Sequence, residues 1–181
     1  MKIKPTPKTG GVVLKLGPDE TQIPTQAPAS VFRIKRILVP LDFSDCSTKA
    51  LEYALPFAKQ FGAELKLLHV TEVYTPGPEL GFVETEDLQA KANLDRICST
   101  VKGSVACSWS MRTGAPAGEI VEAARELGID LIIISTHGRK GLTRMFLGST
   151  TETVVRHAPC PVLVVRETER EFVSEHSDST N

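Results

Sequence analysis

The sequence predicts a doubly wound α/β domain, with helices on both faces of a five-stranded parallel sheet. Three observations predict it. Apolar, β-branched runs of strand length alternate with stretches whose apolar residues recur every three or four positions, the pattern of strand–helix–strand units with right-handed crossovers. Three of the runs, Ile34 to Leu41, Asp130 to Ser135 and Val162 to Val165, are almost continuously apolar, as strands covered on both faces are. The chain's 181 residues suit one core of this kind.

The elements follow in order. Residues 1–31 are rich in Pro, Thr, Lys and Gly without sustained periodicity, and read as a flexible N-terminal extension. Within it Val12 to Leu16 is an apolar island that either adds a strand to a sheet edge, packs on a partner, or stays a loosely held tail. The domain itself is expected over 32–166. Its first strand, Ile34 to Leu41, is followed by Ser44 and Asp45, good N-cap residues. The first helix then runs to Gly62, burying Leu51, Ala54, Leu55 and Ala58, with a kink expected at Pro56. Glu64 to Val70 is the second strand. Thr71 to Phe82, with Pro76 and Pro78, reads as a long loop able to act as a lid. A second helix from about Glu84 to Val101 buries Ala90, Leu94, Ile97 and Val101, and Ser104 to Arg112 is the third strand. Pro116 opens a third helix that Gly128 stops, with Ile120, Ala124 and Leu127 inward. Asp130 to Ser135 is the fourth strand, Gly148 to His157 a helix, and Val162 to Val165 the last strand. The acidic, Ser-rich segment 167–181 reads as a disordered tail.

Composition excludes several classes. With 41% hydrophobic and 24% charged residues the chain is neither disordered throughout nor a membrane protein, and no apolar run approaches a spanning length. A formal net charge of -1 argues against a dedicated nucleic-acid binder. The N-terminus lacks the apolar stretch of a secretion signal. Cys46, Cys98, Cys107 and Cys160 have no metal-ligand spacing, so reduced thiols in a cytoplasm are the simplest expectation.

Ligands of such folds bind beyond the carboxyl ends of the strands, where strand order reverses. Two segments then matter: Pro40, Leu41, Asp42, Phe43 and Ser44 after the first strand, and Ser135, Thr136, His137 and Gly138 after the fourth. Gly138 and Gly148 bracket nine residues, and Gly148, Ser149 and Thr150 open a helix. Backbone N–H groups at such a start, with the positive end of the helix dipole, hold an anion. Ser149 adds a hydroxyl, and Arg139, Lys140 and Arg144 either raise the local positive potential or form a solvated basic loop. Neither a Walker A loop nor a G-x-G-x-x-G fingerprint is present.

From Lys35 to Arg166 the chain resembles the universal stress protein family, whose signature has the form G-x2-G-x9-G-[ST]. Gly138, the nine residues Arg139 to Leu147, Gly148 and Ser149 match its second part, and Ser135 stands where the motif has its first glycine. Ile37 to Ser44, Leu67 to Val70, Thr113 to Pro116 and His157 to Val165 match further family segments in the same order. The resemblance implies an adenine nucleotide alpha hydrolase-like fold with strand order 3-2-1-4-5 and an ATP site, possible magnesium included, between the first and fourth strands. Carried over by position, Pro40, Leu41 and Asp42 line the ribose or adenine side, Val70 lines the adenine pocket, and Ser135, His137, Gly138, Arg139, Gly148, Ser149 and Thr150 surround ribose and phosphates. It also implies a homodimer paired through Val162 to Val165, and a role in stress response.

Some alternatives stay open. Asp42 can instead cap the first helix, although Ser44 and Asp45 are available for that. A receiver domain would want an acidic cluster where Asp42 stands alone. His137 is the only nearby candidate base, so efficient catalysis is not expected and a slow ATPase is the most an enzyme reading allows. The runner-up reading is that Ser135 closes the site and leaves a dimeric interaction module. Cys46, in the first turn of a helix, is a weak candidate redox sensor. His69, Trp109 and His157 read as packing residues.

Overall fold

The computed structural model describes residues 2–5, 12–15, 33–72, 80–136 and 148–166. The chain divides into two compact units, Met1–Phe32 and Arg33–Asn181. In the first, β1 (Lys2–Pro5) pairs antiparallel with β2 (Val12–Lys15), with Ile3 opposite Leu14. The apolar island thus finds its partner in the first residues of the chain, a hairpin that the sequence reading did not foresee.

The second unit holds β3 (Arg36–Pro40), α1 (Asp45–Phe61), β4 (Glu64–Thr71), α2 (Leu80–Val101), β5 (Cys107–Thr113), α3 (Pro116–Glu126), β6 (Leu131–Ser135), α4 (Ser149–His157) and β7 (Val162–Val165). Its sheet is parallel throughout, in the order β5-β4-β3-β6-β7, which is 3-2-1-4-5 counted within the unit. Period-2 alternation divides the core between the two faces. Ile37, Val39, Leu65, Leu67 and Ile133 pack with Ala50, Ala54, Ala58 and Leu94 of α1 and α2. Leu38, Leu68, Ile132 and Ile134 pack with Ile120, Ala124 and Val154 of α3 and α4. Each such Leu or Ile side chain, fully buried, contributes about 1.5–3 kcal/mol.

The helix ends obey local chemistry. Ser44 caps α1, its Oγ accepting from the Ser47 amide at 3.2 Å, and Gly62 closes the helix at φ 63, a left-handed conformation that costs glycine little. Pro56 sits inside α1 without ending it. Several expectations are corrected. Strand β4 continues to Thr71 and α2 begins at Leu80, not Glu84. Ser104 and Val105 belong to a turn, both amides bonding to the Val101 carbonyl, so β5 starts at Cys107. Strand β7 is an edge, and although half-buried over Val162 to Val164 it is covered on both faces as expected, Leu163 and Val165 packing on the α1 side and Val162 and Val164 on the α3–α4 side. His157 is exposed, its ring Nδ1–H donating to the Thr153 carbonyl one turn back at 2.9 Å, and so is not a packing residue. No helix among the described residues is long and apolar enough to cross a membrane.

The thiol expectation also fails for one pair. Cys98 and Cys107 form a disulfide, with Cα atoms 5.4 Å apart. Spacing alone hid this, because the last turns of α2 fold back over β5. Cys46 and Cys160, both half-buried, lie outside that bridge.

Candidate functional site

The chain leaves β3 towards β4 on one side and returns later to β6 on the other, so strand order reverses between β3 and β6. The carboxyl ends of these two strands and the start of α4 come together there.

The loop after β3 is tightly built. The Leu41 amide donates to the Leu68 carbonyl at 2.8 Å, and the His69 ring Nδ1–H donates to the Leu41 carbonyl at 2.7 Å. Phe43 stacks at a tilt on His69, ring centroids 4.9 Å apart, and adopts φ 61. A left-handed backbone at a non-glycine residue costs on the order of 1–2 kcal/mol, so the surrounding contacts hold this bend in place. Nothing in the sequence signalled it. Half-buried Asp42 points Oδ1 at Ser44, accepting from its amide at 3.1 Å and its hydroxyl at 2.6 Å. One carboxylate oxygen therefore buttresses the α1 cap, the structural alternative weighed for this residue. Pro40 ends β3 half-buried, Leu41 is buried, and Val70 is half-buried against the α3–α4 side of the core.

At the other strand, Ser135 is buried at the end of β6, on the same face as Leu131 and Ile133 by alternation. Its carbonyl accepts from the Thr151 hydroxyl at 2.7 Å, which ties the first turn of α4 to the strand. The Thr136 amide donates to the Val165 carbonyl at 2.9 Å, and the Thr136 carbonyl accepts from the Gly148 amide at 2.9 Å. These bonds clamp together the two ends of segment 137–147.

Gly148 is the N-cap of α4 at φ -57 and ψ 145, a backbone open to any residue. Its need for glycine is steric, since a Cβ there would lie 2.7 Å from the Thr136 carbonyl oxygen. With no side chain at the cap, the amides of Ser149, Thr150 and Thr151 open the helix without an intrahelical acceptor. The helix-start amides left to an acceptor outside the helix are therefore these three, and the Gly148 amide, expected to join them, is committed to Thr136. His137, Gly138, Arg139, Lys140 and Arg144 lie outside the described residues, as does most of the loop after β4.

Among the described residues no cluster of three or more His, Cys, Asp or Glu can hold a metal. A cleft of about 600 Å³ lies elsewhere, at the amino ends of β4 and β5 beside α2.

A five-stranded parallel sheet wound on both faces, with helix-start amides at its reversal point, defines a protein of the adenine nucleotide alpha hydrolase-like fold. The chain belongs to the universal stress protein family, whose model matches residues 33–166. It is 37% identical over 145 residues to universal stress protein MJ0531 of Methanocaldococcus jannaschii, covering 76% of this chain and 85% of that one. Among solved structures it is similar to universal stress protein UspA from Lactobacillus plantarum, at 30% identity and TM-score 0.70 over 75% of this chain and 100% of that one. A family protein from Arabidopsis thaliana, solved with AMP bound, shares the fold at 21% identity and TM-score 0.55, over 74% and 92% of the two chains.

Proposed function

We infer that this protein is a nucleotide-binding regulator of stress response that takes ATP at the β3–β6 reversal point. The observation that carries the reading is the start of α4. Three amides without intrahelical acceptors, those of Ser149, Thr150 and Thr151, stand beside the end of β6 and are fixed there by the Thr151 and Thr136 bonds. A phosphate accepts from such amides, and charge-assisted bonds of this type contribute on the order of 1.5–3 kcal/mol each. Ser149 and Thr150 add hydroxyls. In this reading Pro40, Leu41, Asp42 and Val70 border the base and ribose, and Ser135, His137, Gly138 and Arg139 complete the phosphate end. Magnesium would ride on phosphate oxygens, as it does where a protein supplies few carboxylates. Support for the ligand class comes from AMP in the Arabidopsis relative. A homodimer paired through the half-buried edge strand Val162 to Val165, in the cytoplasm, belongs to the same proposal, because an apolar edge without a strand partner among the described residues calls for cover.

Two observations favour a second reading, an interaction module without nucleotide. Asp42 Oδ1 is committed to Ser44, and the Gly148 amide to Thr136. Nucleotide released by heating the purified full chain, absorbing near 260 nm, or calorimetric ATP binding supports the first reading. No binding at millimolar ATP with an intact dimer supports the second. Phosphate release lost in His137→Ala with binding retained would add slow hydrolysis to the first.

A further inference from the structure

We propose that Cys98 and Cys107 form a reversible thiol–disulfide site, open to small thiols and disulfides of the glutathione class, at the amino-terminal edge of the sheet. Cys98 lies in the last turns of α2 and Cys107 is the first residue of edge strand β5. Their Cα separation of 5.4 Å falls within the range a disulfide spans without backbone movement. Both cysteines line the cleft of about 600 Å³, with Ser99, Lys102 and Ser104, a volume within the range of small-molecule sites. Both cysteines are half-buried and face a cleft that an incoming thiol can enter, and access is one of the factors that set exchange rates. Cys46 and Cys160 do not line it.

Among the described residues the cleft also carries two carboxylates and one cation. Of its two carboxylates, Glu64 binds Lys66 Nζ at 2.6 Å and the Ser108 hydroxyl at 3.0 Å, and Asp95 accepts from the Trp109 indole N–H at 2.8 Å. Lys102 is the one described cation that lines the cleft beside them.

The chemistry balances with glutathione disulfide as oxidant. One cysteine thiolate attacks a sulfur of the disulfide and expels a glutathione thiolate. The second cysteine thiolate attacks the protein sulfur of that mixed disulfide, forming the Cys98–Cys107 bond and expelling a second glutathione thiolate. The two protons lost by the cysteines end on the two released thiols, and excess reduced glutathione runs the sequence backwards. The consequence is mechanical. In the oxidised form the C-terminal turns of α2 are pinned to β5, where otherwise Leu94 packing and the Asp95–Trp109 bond hold the helix.

The test equilibrates the full chain across reduced-to-oxidised glutathione ratios, alkylates with iodoacetamide, and maps peptides by mass spectrometry. Expected are a Cys98–Cys107 linked peptide under oxidising ratios, its loss under reducing ratios without denaturant, and faster amide exchange at the end of α2 on reduction. Cys107→Ser should collect a glutathione adduct at Cys98 in preference to Cys46 and Cys160. A Cys46→Ser/Cys160→Ser double variant, which leaves the pair intact, should titrate as the wild type does. The proposal is overturned if both cysteines alkylate at every ratio, if the cross-link survives excess reduced glutathione in the folded chain, or if adducts spread evenly over the remaining cysteines.

Discussion

Replacing Gly148 by alanine adds one methyl group to a backbone that already has an ordinary conformation, φ -57 and ψ 145. Backbone strain therefore contributes nothing to the outcome. The new Cβ would lie 2.7 Å from the Thr136 carbonyl oxygen, and that oxygen cannot swing aside because it accepts from the Gly148 amide at 2.9 Å. Relief requires moving the start of α4 away from β6 or breaking the clamp. Overpacking of this kind costs about 1–3 kcal/mol, and a domain of this size loses about 4 °C in Tm per kcal/mol. Gly148→Ala should melt about 4–12 °C below wild type in calorimetry. Gly118→Ala is the control, since Gly118 lies within α3 with nothing within 4 Å of its added Cβ. There the exchange should raise stability by roughly 0.5–1 kcal/mol. If Gly148→Ala melts with the wild type or above it, the steric account of this glycine is wrong.

Three further outcomes follow from the same geometry. Ser44→Ala removes the α1 cap and the hydroxyl that Asp42 accepts from, and should cost about 0.5–2 kcal/mol in urea unfolding. Thr151→Val keeps the shape but strips the Ser135 carbonyl of its buried 2.7 Å partner, for a loss of about 1–3 kcal/mol. The Lys66 ammonium, hydrogen-bonded to Glu64 and helped by Ser108, holds the Glu64 carboxyl below its ordinary pKa against the opposing effect of burial. A depressed carboxylate contributes stability above the unfolded value and loses it as pH falls through the folded one. Glu64→Gln should therefore flatten the acid limb of a pH–stability profile and leave its shape above pH 6 unchanged.

The sheet and its order were legible because strand-length apolar runs and helical spacing both survive in the parallel core, as at Leu38 and Ile132 on one face and Ile37 and Ile133 on the other. Element ends were legible where a residue carries its own signal, such as Ser44, Gly62 and Pro116. They were not where it does not. The start of α2 at Leu80 is followed by Gly81 and preceded by two prolines, a composition that reads as loop. The β1–β2 hairpin is too short to show periodicity across Lys2–Pro5. At the site, the motif located the helix start, but sequence could not reveal that Gly148 is required by the Thr136 carbonyl, or that Phe43 takes φ 61. Those are consequences of tertiary approach. The Cys98–Cys107 bond is of the same kind, formed by a helix folding back on a strand and marked by no spacing motif.

The central claim, that amides at the start of α4 hold a nucleotide phosphate, is tested by calorimetric ATP titration of the full chain beside Ser149→Pro. Proline suits the first helical position, where its missing N–H breaks no intrahelical bond, and the extended Gly148 before it already has the backbone that proline demands. The helix should stay and one gripping amide, with the Ser149 hydroxyl, should go. Saturable binding to wild type, weakened at least about tenfold in Ser149→Pro with Tm nearly unchanged, is the predicted result. Equal ATP affinity in the two proteins, or none in the wild type at millimolar nucleotide, contradicts it.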